Sequence, residues 1–130
     1  MHEKIAKIKD LKLLFVEDEK DLLKIIIDTL NKLQANFLVA RDGKEAFELL
    51  KNTDDIDLVI TDINMPNMNG LELIELSKNS GNNTPFIVMS AHTEKEYIEK
   101  AKSLGIKDYL LKPFDFIKFI ELVSEMDLKK

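Results

Sequence analysis

Residues 58–74 read LVITDINMPNMNGLELI. The stretch opens on an unbroken apolar run, Leu58-Val59-Ile60, and closes it on Thr61-Asp62. It then turns through Met65-Pro66-Asn67 and resumes with Gly70, Leu73 and Ile74 at helical spacing. A continuous apolar run, rather than an alternating one, is what a strand buried on both faces requires. Outward from it the same unit recurs. Further runs are Leu13-Leu14-Phe15-Val16, Phe37-Leu38-Val39-Ala40, Phe86-Ile87-Val88-Met89 and Tyr109-Leu110-Leu111. Between and after them apolar residues fall at i, i+3, i+4, i+7, as in Leu23/Ile26/Ile27/Leu30 and Phe116/Phe119/Ile120/Val123. Shorter stripes are Ala46/Leu49/Leu50 and Tyr97/Ile98/Ala101, and turns stand at Asp42-Gly43, Ser80-Gly81-Asn82-Asn83 and Gly105. Five strands and five helices in strict alternation predict an α/β fold, a single (βα)5 doubly wound parallel sheet covered on both faces.

The composition agrees with one folded domain and narrows its chemistry. A chain of 130 residues is near the commonest domain size. Hydrophobic residues make up 45% and charged residues 33%, a globular balance that argues against disorder. Nineteen Lys+Arg against twenty-four Asp+Glu give a net charge of −5, which disfavours a phosphate-backbone binder, so no nucleic-acid partner is expected. The absence of cysteine removes disulfides, zinc–cysteine sites and thiol catalysis. No apolar run has membrane-span or signal-peptide length, so the expectation is a cytoplasmic domain with no membrane partner. The domain is expected over residues 11–127, between an N-terminal extension (1–10) and a short tail (128–130).

Open parallel sheets bind ligands outside the carboxyl ends of their strands. At those ends the chain places Glu17 and Asp18, then Asp62, then Ser90 and Ala91, then Lys112 and Pro113. Each residue has a bland reading alone: an acidic residue after a strand caps the next helix, a loop serine is common, and a lysine before proline is usually on the surface. Four strand ends carrying reactive groups together are harder to dismiss. Three carboxylates repel, and Lys112 offsets only one charge. The surplus calls for a hard divalent cation bound through oxygen, for which magnesium is suited and manganese a substitute. A cation and an ammonium beside a carboxylate make a place for a phosphoryl group. Ser90 and the Ala91 N–H would donate to its oxygens, and Asp62 would serve as nucleophile.

With those residues in place, the chain resembles a response-regulator receiver domain of two-component signalling, over nearly its whole length. The matching pieces are LLFVEDE, LVITDINMPNMNGLELI, FIVMSAH and GIKDYLLKPF, and the second is the most specific, since Asn64, Met65-Pro66 and Gly70 follow Asp62 at fixed spacing. The resemblance implies a flavodoxin-like fold with strand order 2-1-3-4-5. It implies Asp62 as phosphoacceptor, and Glu17, Asp18, Asp62 and the Asn64 carbonyl around the metal. Lys112 would contact the phosphoryl group, the bond before Pro113 would be cis, and Ser90 with Tyr109 would form the switch. Asn64 and His92 fall where the family tunes dephosphorylation, although His92 equally reads as an exposed loop histidine. Glu17 and Ser90 are the less frequent of the family's options and keep the chemistry.

The implied function is a phosphorylation-activated switch rather than an enzyme. Its partners would be a histidine kinase or histidine phosphotransfer protein and a downstream protein or output domain, the chain being a monomer or a weak phosphorylation-promoted dimer. Leu22 and Ile25, on the flank of the first long helical stripe, suit either packing against the last helix or an exposed patch for a kinase helix. The enzymatic rival, a haloacid-dehalogenase-like phosphatase, needs D-x-D-x-[TV]; residues 16–20 read VEDEK, and no cap domain is visible. Dinucleotide and P-loop folds lack their glycine signatures here.

Overall fold

Each of the five apolar runs is a strand in the computed structural model, which describes residues 2–91, 95–112 and 115–128. The strands β1 (Lys12–Val16), β2 (Asn36–Ala40), β3 (Leu58–Asp62), β4 (Phe86–Ser90) and β5 (Asp108–Leu111) form one sheet, ordered β2-β1-β3-β4-β5. All neighbours are parallel, with Val16 opposite Ala40 and Thr61, Asp62 opposite Met89, and Ser90 opposite Leu111. The order reverses between β1 and β3, which places the crevice for a ligand above their carboxyl ends. β3 and β4 are buried along their whole length, whereas the edge strands β2 and β5 are only partly so.

Side chains alternate across the pleat, so the continuous runs feed two cores. Leu14, Val16, Val59 and Val88 face α3 (Gly43–Asn52), α4 (Gly70–Asn79) and α5 (Lys95–Ser103). Leu13, Phe15, Leu58, Ile60, Ile87 and Met89 face α1 (His2–Lys9), α2 (Lys20–Lys32) and α6 (Phe116–Glu125). Phe15 meets Phe119 edge-on, ring centroids 5.5 Å apart, at the heart of this second layer. The helix starts are chemically marked. Asp42 accepts from the Glu45 N–H, Asn69 and Glu72 form a reciprocal capping box, and Asp115 accepts from Ile117 and Lys118.

Among the described residues the helices number six, one more than the five predicted. The addition is α1, within the stretch expected as an N-terminal extension. Ile5 and Ile8 share one of its faces, and Ile8 and Leu11 are fully buried against the α2/α6 layer. Lys7 Nζ donates to the Ser124 and Met126 carbonyls, at 3.3 and 2.8 Å, where α6 ends. An ammonium there satisfies carbonyls that the helix itself leaves open and opposes the negative end of its dipole. Eight residues with two apolar ones on a stripe are too little for periodicity to register. The tertiary partner makes the helix.

Candidate functional site

The site stands at the carboxyl edge of the sheet, where the hydrogen-bonded ladder delivers its members. The Glu17 N–H donates to the Ala40 carbonyl at 3.0 Å and the Lys112 N–H to the Ser90 carbonyl at 2.9 Å, so both extend the sheet by one residue. Glu17 is fully buried, Asp62 nearly so, Lys112 half-buried and Asp18 exposed. One carboxylate oxygen from each of Glu17, Asp18 and Asp62 lies within 4.8 Å of the other two. Lys112 Nζ sits 2.6 Å from Asp62 Oδ2 and 3.3 Å from Glu17 Oε1. The other oxygen of each acid is held by backbone: the Ile63 N–H donates to Asp62 Oδ1 at 2.8 Å, and the Glu19 N–H to Glu17 Oε2 at 3.1 Å.

One ammonium cannot balance three carboxylates. Two like charges roughly 4 Å apart repel by about 4 kcal/mol at an effective dielectric of about 20, the same scale as domain stability. Burial, then the Asp62 charge, push the Glu17 carboxyl up to about 7, against the opposing pull of the Glu19 N–H and Lys112. Burial also raises Asp62, opposed by Lys112. Burial by itself would lower Lys112, but the bond to Asp62 and the charges of Asp62 and Glu17 outweigh it and hold the ammonium above its ordinary value. Three hard oxygen donors with a surplus of negative charge fit magnesium, and manganese suits the same donors.

Three hydrogen bonds fix the loop between β3 and α4, on which Asn64 stands exposed. The Gly70 N–H donates to the Ile63 carbonyl at 2.8 Å, and a Cβ at Gly70 would collide with the Asp62 carbonyl, so only glycine lets α4 begin this close to the acid. Further along, Asn67 Nδ2 donates to Asp42 Oδ2 at 2.7 Å, and the Gly43 N–H donates to the Met68 carbonyl at 2.9 Å. Asp42-Gly43, which reads as a plain turn in the sequence, therefore reaches the loop beside the site. No spacing rule connects positions 25 apart.

On the β4–β5 side, Ser90 is fully buried and its Oγ has no hydrogen-bond partner among the described residues. Ala91 follows it, half-buried. Tyr109 is half-buried and donates to the Ile106 carbonyl at 2.5 Å. Ser90, Ala91, Tyr109, Ile98 and Leu111 line a groove of about 340 Å³ between β5 and α5. Of the residues singled out in the sequence, the structure gathers Glu17, Asp18, Asp62 and Lys112 into one cluster and sets Ser90 at the neighbouring strand end. His92 and Pro113 lie outside the described residues.

Residues 13–124 match the family model of the response regulator receiver domain, and the chain belongs to that family. The Regulator of RpoS of Escherichia coli (strain K12) is 41% identical over 114 residues, which is 88% of this chain and 33% of that protein. The chain thus spans about a third of that relative's length. A chemotaxis protein CheY homolog of Campylobacter jejuni is 36% identical over 107 residues, covering 80% of this chain and 82% of that one. Among solved structures, the response regulator receiver protein from Pseudomonas putida superimposes with a TM-score of 0.81 at 32% identity, covering 89% and 97% of the two chains. The Francisella response regulator 1452 receiver domain gives 0.77 at 33%, covering 88% and 93%. These matches lend the phosphatase alternative no support. No helix among the described residues is long and apolar enough to cross a membrane.

The raised Glu17 carboxyl sets a pH dependence. A carboxyl that holds its proton more tightly when folded stabilises the fold below its ordinary value of 4.5 and loses that stabilisation as pH rises to about 7 and beyond. In metal-free buffer the unfolding free energy therefore falls across that window, and Glu17→Gln flattens the fall. Urea denaturation of both proteins along a pH series checks it: equal slopes would show that Glu17 ionises in the fold as it does in the open chain.

Proposed function

We propose that the chain is a phosphorylation-activated switch that takes a phosphoryl group onto Asp62 from a phosphohistidine. The single observation that carries this reading is the Lys112 ammonium between Asp62 and Glu17, with a third carboxylate within reach of the same point. An oxygen of Asp62 attacks phosphorus, the P–N bond to the donor histidine breaks, and the imidazole leaves with its electron pair. Lys112, the Ser90 hydroxyl and the Ala91 N–H receive the phosphoryl oxygens. Glu17, Asp18, Asp62 and the Asn64 carbonyl would hold a magnesium ion, which supplies charge neutralisation at those oxygens. The buried, unpartnered Ser90 hydroxyl supports its part as phosphate ligand, because an orphaned hydroxyl in an apolar setting costs free energy that a phosphoryl oxygen would offset.

Ser90 moving toward the phosphoryl group would open space in the groove it shares with Tyr109. An inward turn of Tyr109, giving up its bond to Ile106, then reshapes the surface of α5, β5 and α6 that a downstream protein or output domain reads. His92 and Asn64 are proposed to tune hydrolysis, and phosphorylation to promote at most weak dimers. The cytoplasm is the proposed setting. For the donor, the flank of α2 divides in two: Leu22 is half-buried against the core, whereas Ile25 is 57% exposed. Ile25 lines a groove with Glu19, Asp21, Leu22 and Lys112, next to the acidic cluster. An apolar side chain left in water beside the site is a fitting anchor for a kinase or phosphotransfer helix.

Acetyl phosphate with magnesium labels the wild type with one acid-labile phosphoryl group per chain, and Asp62→Asn abolishes the label, because an amide is a far poorer nucleophile. Intact-mass analysis reads the outcome; an equally labelled Asn variant would assign the acceptor elsewhere. Ile25→Ser slows phosphotransfer from a cognate histidine donor roughly tenfold, the cost of a modest interface anchor of about 1.4 kcal/mol, and leaves acetyl-phosphate labelling unchanged. Equal loss with both donors would mean that Ile25 serves the fold instead.

A further inference from the structure

We propose that Asp42 is a positioning residue for the metal site: through Asn67 it holds the loop that presents the Asn64 carbonyl. The inference rests on the reading of Asn64 as a ligand carbonyl. Residues 64–69 have no regular structure of their own, so the direction of that carbonyl depends on what pins the loop. The two ends are tied to each other by the Gly70–Ile63 bond, and the far one is also held by the Asn69–Glu72 capping box. The middle, Asn67 and Met68, is fixed from another part of the chain.

Asp42 is the N-cap of α3, and this role uses one oxygen: Oδ1 accepts from the Glu45 N–H at 2.8 Å. Its second oxygen is taken by Asn67 Nδ2 at 2.7 Å. A cap alone would leave that oxygen to water. Beside it, a Cβ at Gly43 would stand 2.5 Å from the Met68 carbonyl, so the turn is shaped to let the loop come this close. Asn67 itself sits at φ 65°, a left-handed conformation that asparagine tolerates and a longer side chain resists. Met65 and Met68 bury part of their length in the core layer below. Asp42, Gly43 and Asn67 together convert a six-residue excursion into a fixed arm, with Asn64 midway between Asp62 and the clamp. A preorganised ligand binds a cation more tightly than one that must be ordered at the moment of binding.

The test exchanges the two partners. Asn67→Asp sets two carboxylates against each other where a hydrogen bond stood, while keeping a residue that tolerates positive φ. Asn67→Gly keeps the backbone conformation and deletes the amide. Asp42→Asn combined with Asn67→Asp restores the bond with donor and acceptor reversed, at the wild type's net charge. Magnesium affinity is measured by isothermal titration on all four proteins, and their metal-free melting temperatures are recorded alongside. Clamping predicts that both single variants bind magnesium roughly tenfold more weakly, and that the exchanged pair recovers most of the loss. Charge alone predicts the opposite sign for Asn67→Asp, since an added anion near the site attracts a cation. Single variants that bind magnesium as the wild type does, even with lowered melting temperatures, would reduce Asp42 to a helix cap and overturn the proposal. So would an exchanged pair that fails to recover. A wild type that takes up no magnesium would instead refute the metal site itself.

Discussion

The Lys112 ammonium, 2.6 Å from Asp62 and 3.3 Å from Glu17, is the contact on which this structure turns. It makes a buried acidic pair tolerable, yet it is one positive charge against three negative ones. The imbalance is visible in Glu17, whose carboxyl is pushed up to about 7 by burial and by Asp62 despite Lys112. A fold that keeps such a cluster at a partly buried strand edge is less stable than the same fold without it. Free energy withheld in this way becomes available to any cation or phosphoryl group that completes the site.

The rest of the molecule serves to keep those groups from relaxing apart. β1 and β3 are adjacent central strands, so Glu17 and Asp62 cannot separate without breaking the ladder that joins them. The Glu19 N–H ties Glu17 to the start of α2, and the Ile63 N–H ties Asp62 to its own loop. Both acids are buried among core residues packed on both faces of the sheet. Repulsion at the edge is thus borne by the two buried core layers beneath it.

What the sequence disclosed and what it concealed follow from the range of the forces involved. The strands and their order of burial are written in continuous runs such as Phe86–Met89, since transfer of apolar surface depends on composition along a few residues. The acidic cluster was legible for a related reason: a parallel sheet brings all its strand ends to one edge, so Glu17, Asp62 and Lys112 could be placed together before any distance was known. Helix α1 was not legible, because Ile5, Ile8 and Lys7 acquire their meaning only from α6, more than a hundred residues away. The Asp42–Asn67 bond was hidden likewise, as both residues have ordinary turn chemistry. The division of Leu22 from Ile25 required the actual tilt of α2 on the sheet, which periodicity leaves open to within the width of a side chain. His92 and Pro113 lie outside the described residues.

The most direct test of stored repulsion is thermal melting of the wild type and Asp62→Asn, each with EDTA and with magnesium. Deleting one repelling charge while keeping the shape should raise the metal-free melting temperature of the Asn variant above that of the wild type. Magnesium at about ten times its Kd stabilises the wild type by about 1.4 kcal/mol, a rise of about 3–8 °C for a domain of this size. The Asn variant should gain less, having lost one ligand charge. An Asn variant that melts below the wild type in EDTA would contradict the account, for it would mean that the bond between Asp62 and Lys112 contributes more to the fold than the crowding of Glu17, Asp18 and Asp62 takes from it.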